Sequence, residues 1–299
     1  AGDLNADGFV DLAIGAPTDD LPVSNGGRVF VYLGSATGIP TTPSSTLVNP
    51  DLQAEGQFGV AVAGAGDVNG DGFDDLVVGA HRQDGAAVDQ GAAWIFYGSA
   101  TGVAASPDVA LADPDEQAGA QFGRSVAGAG DLNADGYADV VVGAPYQDNG
   151  ATDEGGAYVY LGSAAGPASV PSVSLDNPVN QADAHFGWSV ATAGDINVNG
   201  YSELLVGAPV QANPTVGEGN VFVYYGTLTG VPTFPSGTFD NPGAQDGGFG
   251  FSAVGVGDVN GDVNPDVAIG ALYQDNGATD EGNAFLFNGC YCGVIRTTP

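Results

Sequence analysis

Asp3, Asn5, Asp7 and Asp11 fall at odd positions of a nine-residue string that bends at Gly8, a spacing that can turn several oxygens toward one point. A hard cation is the natural occupant. Calcium takes about six to eight oxygens in forgiving geometry, whereas magnesium demands a stricter octahedron and zinc favours His or Cys, which the string lacks. In the pattern DxNxDGxxD the first, third and fifth positions offer side-chain oxygens and the seventh a backbone carbonyl. The ninth offers a carboxylate able to bind through both oxygens.

The string returns at Asp67, Asp131, Asp195 and Asp258, at intervals of 64, 64, 64 and 63 residues. The candidate ligand sets are therefore Asp3, Asn5, Asp7, Phe9 and Asp11; Asp67, Asn69, Asp71, Phe73 and Asp75; and Asp131, Asn133, Asp135, Tyr137 and Asp139. Two weaker sets follow: Asp195, Asn197, Asn199, Tyr201 and Glu203, and then Asp258, Asn260, Asp262, Asn264 and Asp266. Up to five structural calcium ions are predicted. The fourth set has only two carboxylates and should bind less tightly. The fifth puts Val263 where glycine permits a positive φ, so that site is expected to be distorted or empty. The competing reading is a row of Asp-Asn-Gly turns that bind nothing, since these residues favour tight turns anyway. Recurrence in phase argues against it.

A period of this length marks a repeat architecture, and each repeat must supply the elements that hold its loop. In the second repeat Phe58–Ala63 reads as a short apolar strand that leads through Gly64-Ala65-Gly66 into the acidic loop. Asp75–Ala80 reads as a buried strand, Trp94–Tyr97 as an aromatic one and Asp108–Leu111 as a fourth, with no convincing helix. Four-stranded antiparallel sheets of about this size pack face to face around an axis as propeller blades. The prediction is an all-β propeller forming one domain over residues 1–299, with repeats at 1–57, 58–121, 122–185, 186–248 and 249–299. Four blades are complete and the first lacks its opening strand. A linear β-solenoid is the rival architecture, but its repeats are usually shorter.

Other landmarks keep the same phase. Phe58-Gly59, Phe122-Gly123, Phe186-Gly187 and Phe249-Gly250 precede the acidic loops, and Gly15-Ala16-Pro17, Gly143-Ala144-Pro145 and Gly207-Ala208-Pro209 follow them. The chain thereby resembles the FG-GAP repeats of integrin α-subunit β-propellers and their bacterial relatives, although Gly79-Ala80-His81 and Gly270-Ala271-Leu272 lack the proline. The resemblance implies a loop joining the first and second strands of each blade. It also implies an extracellular adhesion or protein-interaction role without enzymatic activity, and a family total of seven blades. Five visible repeats then imply truncation at one or both ends, or an unusual closure.

Composition agrees with that setting. With 36 acidic residues against four arginines and no lysine, the formal charge of −32 repels nucleic acid and anionic lipid. No apolar run approaches the roughly 18 to 20 residues that span a bilayer, so direct membrane insertion is not expected. Fourteen carboxylates fall at loop ligand positions, where dications would relieve their repulsion. Calcium that binds weakly to moderately stays bound where the ion is millimolar, which favours an extracellular setting. The expected partner is an extracellular protein or a glycan. A lectin-like propeller and a non-catalytic propeller appended to an enzyme are the alternatives.

The remaining chemistry is sparse. His81 and His185 occupy unrelated phases of the repeat and form no recognisable triad, while Trp94, Tyr158, Phe222 and Phe285 alternate with apolar residues as core. YQDNGATDEG occurs twice, at Tyr146–Gly155 and Tyr273–Gly282. By resemblance it lies on the face opposite the acidic hairpins, where Tyr146, Asp148, Asp153 and Glu154 are candidates for a partner surface. A merely solvated duplicate loop is the alternative. For Cys290 and Cys292 a local disulfide, a bridge elsewhere and free thiols all remain open.

Overall fold

A computed structural model describes residues 1–212, 217–243, 245–275 and 277–289 together with the strand at 296–297. Cys290 and Cys292 lie outside the described residues. Among the described residues nineteen strands form five antiparallel sheets and no helix occurs. The first sheet has three strands, β1 (Leu12–Ala16), β2 (Arg28–Tyr32) and β3 (Ser45–Val48). The second comprises β4 (Ala61–Gly66), β5 (Asp75–Ala80), β6 (Ala92–Phe96) and β7 (Val109–Ala112). The third has β8 (Ser125–Gly130), β9 (Asp139–Ala144), β10 (Gly156–Tyr160) and β11 (Val173–Asp176). Next come β12 (Ser189–Gly194), β13 (Glu203–Ala208), β14 (Asn220–Tyr225) and β15 (Gly237–Asp240). The last sheet holds β16 (Phe249–Gly257), β17 (Asp266–Ala271), β18 (Asn283–Asn288) and β19 (Arg296–Thr297). Within every sheet the strands neighbour one another in chain order, the meander of a propeller blade. The first blade lacks its opening strand, as the sequence predicts.

Contacts group the chain into two compact units. One comprises Ala1–Gly128, Gly136–Ala144 and Val159–Ser172; the other comprises Ala129–Asp135, Pro145–Tyr158 and Val173–Pro299. In the first unit Val29, Val31, Leu47, Phe58, Leu76, Val78, Trp94 and Phe96 form one buried cluster drawn from two sheets. In the second, Leu205, Val221, Val223, Phe239, Phe249, Val267, Ile269 and Phe287 do the same. Each side chain so buried contributes about 1.5–3 kcal/mol of transfer free energy, so adjoining blades are held chiefly by apolar packing. The second strands β5, β9 and β13 are buried at every residue, which explains their uninterrupted apolar runs.

The recurrent dipeptides have a geometric cause. Sequence reading places Phe58-Gly59 inside a strand, yet β4 starts at Ala61 and Gly59 turns with φ +86°. Its N–H donates to the Gly79 carbonyl at 2.9 Å, and Gly123 and Gly187 donate to Gly143 and Gly207 at 3.0 Å each. On the other side, a Cβ at Gly15, Gly79 or Gly207 would fall on the carbonyl of Gly59, Gly123 or Gly250, the turn glycine of the following blade. The backbone at Gly59 and at Gly123 thus lies against two GA segments, and no side chain fits between them. Gly64-Ala65-Gly66 is not a lead-in but the end of β4, where the register shifts between Gly64 and Gly66. Gly66, at φ +74°, supplies that irregularity.

Phenylalanine completes the joint. Phe58, Phe122, Phe186 and Phe249 are fully buried. Their N–H groups donate to carbonyls of the preceding blade, those of Gly26, Gln90, Glu154 and Glu218, at 2.9–3.1 Å. Phe58 packs edge-on against Trp94 with ring centroids 5.6 Å apart, and Phe186 and Phe249 meet Phe222 and Phe285 at 5.6 and 5.7 Å. Trp94, Tyr158 and Phe222 are buried and Phe285 packs partly buried against the second cluster, in line with their reading as core.

Candidate metal-binding loops

Each of the last four acidic strings forms the hairpin between the first and second strands of its blade. The first string is closed instead by a bridge between Gly2 and Asp11 just before β1, and the early side chains of the strings curl over their own backbone. In the first loop Asp3 accepts from the N–H groups of Asp7 (3.1 Å) and Gly8 (2.8 Å), Asn5 from Asp7 (3.2 Å), and Asp7 from Phe9 (3.0 Å). The second loop repeats this with Asp67, Asn69 and Asp71. In the third, Asp135 N–H donates to both Asp131 (3.2 Å) and Asn133 (3.1 Å). The fourth keeps Asp195 and Asn199 in the same roles. Positions one, three and five are therefore drawn to one side of a tight bend.

The ninth position behaves differently. Asp11, Asp75, Asp139, Glu203 and Asp266 are all buried. Asp75 accepts from Val68 N–H at 2.9 Å through one oxygen and from Gly98 N–H at 2.8 Å through the other. Asp11 holds Leu4 and Gly34, both at 2.7 Å, and Asp266 holds Val259 and Gly289 at 3.0 and 2.9 Å. Asp139 accepts from Gly162 at 2.8 Å, and Glu203 from Ile196 N–H and the Asn197 amide. Both oxygens that the sequence assigns to a cation are thus already accepting from donors at Asp11, Asp75, Glu203 and Asp266, as a buried carboxylate requires. The turn glycines Gly34, Gly98, Gly162 and Gly289 recur because each presents its N–H to this group. A Cβ at Gly98 would strike the Asp74 carbonyl.

Burial dominates the titration of these anchors. It pushes Asp75 up to about 7, against the opposing hydrogen bonds from Gly98 and Val68 and with added repulsion from Asp71 and Asp67. Glu203 also rises to about 7, by burial first and by repulsion from Asp195.

The loops also meet the next blade. Asp74 N–H donates to the Asp3 carbonyl at 3.1 Å while Asp3 N–H donates to the Asp74 carboxylate at 2.7 Å. Ala138 N–H reaches the Asp67 carbonyl and Ser202 N–H the Asp131 carbonyl, each at 2.9 Å. In the fifth loop Val263 adopts φ +80° and still donates to Asp258 at 2.8 Å, so the bond pattern survives a backbone conformation unfavourable to valine. Val198 in the fourth loop, at φ +58°, carries comparable strain that the sequence did not announce.

The donor set fits calcium in kind: carboxylate, amide and carbonyl oxygens only, on a short bend. Among the described residues no three His, Cys, Asp or Glu side chains gather as a ready metal cage. The reason is visible in the hydrogen bonds, since the first-position carboxylate caps loop N–H groups and the ninth faces inward. A carboxylate oxygen accepting one N–H keeps a second lone pair, so these bonds are compatible with ligation.

At the opposite strand ends, the decapeptide does not behave as a uniform surface loop. Tyr146 is half-buried, and Gln147 and Glu154 are buried, with Glu154 accepting from Asn149 N–H at 3.0 Å. Glu154 is therefore not a surface candidate; its carbonyl takes the Phe186 N–H. In the second copy Glu281 is exposed. His81 is buried beside Arg124 and Arg82, and burial first, then those cations, lowers it to about 4. The sequence reading missed a further repeat on this side. Asn49, Asn177 and Asn241, each before a proline, donate their side-chain amides to Gln83, Gln211 and Gln274 of the next blade at 2.8–2.9 Å. The shared 33- or 34-residue spacing of Asn-Pro and Gln was the available signal.

Comparison with known proteins agrees with this architecture. A family model described as FG-GAP repeat matches residues 1–32, 58–96, 122–160 and 186–224. The chain is similar to integrin alpha-7 of Rattus norvegicus, 38% identical over 167 residues, which is 56% of this chain and 14% of that protein. It is 37% identical to integrin alpha-6 of Gallus gallus over 152 residues, covering 50% of this chain and 13% of that one. Integrin alpha-5 of Xenopus laevis is 39% identical over 151 residues, 48% of this chain and 14% of that protein. The chain thus spans about one-seventh of the length of these relatives.

Proposed function

Because the chain belongs to the FG-GAP repeat family, we propose that it is a calcium-binding, extracellular β-propeller module for adhesion or protein interaction, with the calcium structural. The observation carrying this reading is the loop geometry: the same bend of hard oxygens recurs, and each of the first three loops accepts an N–H from the following blade. Asp, Asn and the seventh-position carbonyl would hold the ion, with the ninth carboxylate closing the set through its remaining lone pairs. Bound calcium would supply positive charge where like charges converge.

Similarity to integrin α chains supports the adhesion part and the cell-surface setting. The reading is of a binding module rather than an enzyme, with a protein or glycan partner. Among the described residues no helix is long and apolar enough to cross a membrane.

Titration calorimetry of chelator-stripped protein tests the proposal. Saturable calcium binding is expected, tightest in the three loops with three carboxylates, and Asp71→Ala should delete one site. Heat changes that magnesium reproduces equally, or none at all, would falsify it.

A further inference from the structure

One cavity of about 250 Å³ opens at the strand ends opposite the acidic hairpins. Its walls include Tyr146, His185, Trp188, Phe251 and Tyr273, with Asp246 among them. Four of these rings form a continuous row: Tyr146 to His185 at 4.7 Å between centroids, His185 to Trp188 at 5.9 Å and Trp188 to Phe251 at 5.3 Å. Tyr146 and Trp188 stand nearly edge to face, at 69°, and so offer two differently directed π surfaces. All lie in the second compact unit.

This row is unlike the other aromatic groups of the chain. Phe58, Phe186 and Phe249 are shut into blade cores, whereas Tyr146, His185, Trp188 and Phe251 are only partly buried and Tyr273 is 51% exposed. Aromatic side chains left open around a cavity are a ligand surface by default. The electrostatics select the ligand. Ring faces are negative, Asp246 is exposed at the wall, and among the described residues no Arg or Lys lines the cavity. Asp153 and Asp183 lie close enough to His185 to act on it, while burial, the larger influence, keeps that imidazole below its ordinary range and so uncharged at neutral pH. The net charge of −32 works in the same direction.

Hydrogen-bonding capacity narrows the choice among cations. A guanidinium brings five N–H donors, and a primary ammonium three, whereas among the described residues the wall offers one carboxylate, that of Asp246. A quaternary ammonium has no donors to satisfy and presents methyl groups that pack on rings. We infer that the Tyr146–Trp188–Phe251 cavity binds a small quaternary ammonium group, with Trp188 as the principal ring and Asp246 as the charge partner. The inference deepens the reading of this module as a binding protein and does not depend on calcium occupying the hairpins.

The test uses the complete chain in saturating calcium and again in chelator, following tryptophan emission. The chain has two tryptophans, and Trp94 is only 4% exposed, so a ligand-dependent change assigns to Trp188. Choline should give a saturable change at concentrations up to about 10 mM, and 3,3-dimethylbutan-1-ol, its neutral isostere, should bind about tenfold more weakly. Phosphocholine separates the sources: binding comparable to choline indicates a headgroup ligand, and weaker binding indicates a free small cation disfavoured by added negative charge. Trp188→Ala removes the reporter, so it is read by calorimetry, where choline binding should weaken at least about tenfold; unchanged binding would overturn the inference. Asp246→Asn, at an exposed position that leaves folding intact, should weaken choline binding several-fold by calorimetry and leave the alcohol unaffected. Equal binding of the neutral alcohol, tighter binding of arginine methyl ester than of choline, or no saturable response to choline would overturn the inference. Calcium binding measured separately would then stand or fall by itself.

Discussion

Two kinds of carboxylate share each acidic string, and they should fail differently. Asp71 is exposed and bonded only within its hairpin, so Asp71→Ala in chelator is expected to shift the melting point little, under about 1 kcal/mol. Its effect should show only when calcium is present. Asp75 is buried and holds two backbone N–H groups, and Asp75→Asn replaces one acceptor by a donor facing Val68 or Gly98. It should therefore cost about 1–3 kcal/mol in chelator as well, read by denaturant or thermal unfolding. Equal losses for the two variants in chelator would sink the distinction. Titration gives a second check. Asp75 and Glu203 have folded values of about 7, above their unfolded ones, so they bind protons more tightly when folded. Their contribution is fully present below about pH 4 and lost as pH rises through about 7. His81 runs the other way: lowered to about 4, it favours the folded state above pH 6.5 and loses that contribution as pH falls. In chelator, the two carboxylates should outweigh the histidine between pH 5 and 8, and melting should fall across that range. The fall should shrink in Glu203→Gln; an unchanged slope would contradict the assignment.

At the scale of the element, apolar packing holds adjoining blades together and backbone sets how closely they approach. Gly79→Ala sets a methyl against the Gly123 carbonyl and is expected to cost about 1–3 kcal/mol or more, while Gly72→Ala meets only open space and a strained φ of +91°. Val263→Gly should do the reverse, stabilising by about 1 kcal/mol through release of a valine held at φ +80°. Thermal melts of the three variants order them; a melting point for Gly79→Ala at or above that of Gly72→Ala would refute the joint. Much of this was legible beforehand. The period, the strands after each loop and the incomplete first blade follow from spacing and from the uninterrupted apolar runs of β5, β9 and β13. The placement of Phe58-Gly59 was not, because an apolar residue beside glycine reads equally as strand or turn until a partner carbonyl is known. Nor was the inward role of Asp75, since a carboxylate at a ligand spacing gives no sign of which way it points. The Asn49–Gln83 bond and its two equivalents escaped because neither residue type marks a core, although their common spacing was present.

For the molecule as a whole, charge is the dominant liability. A formal charge of −32 on 299 residues opposes compaction unless cations gather at it, and the acidic hairpins concentrate part of that charge. Sodium chloride should therefore raise the melting point of chelated protein more than that of calcium-loaded protein, because screening substitutes for bound ions only where none are present. Repeat architectures also add stability blade by blade, so the loss of one loop should weaken its neighbours more than distant blades. The most direct measurement is calorimetric melting of the intact chain at fixed pH in excess chelator, in millimolar calcium and in millimolar magnesium. The account predicts a large upward shift with calcium, a small one with magnesium, and a shift that diminishes stepwise as Asp7, Asp71 and Asp135 are replaced by alanine. A melting point indifferent to calcium, or a calcium shift that survives all three replacements, would contradict it.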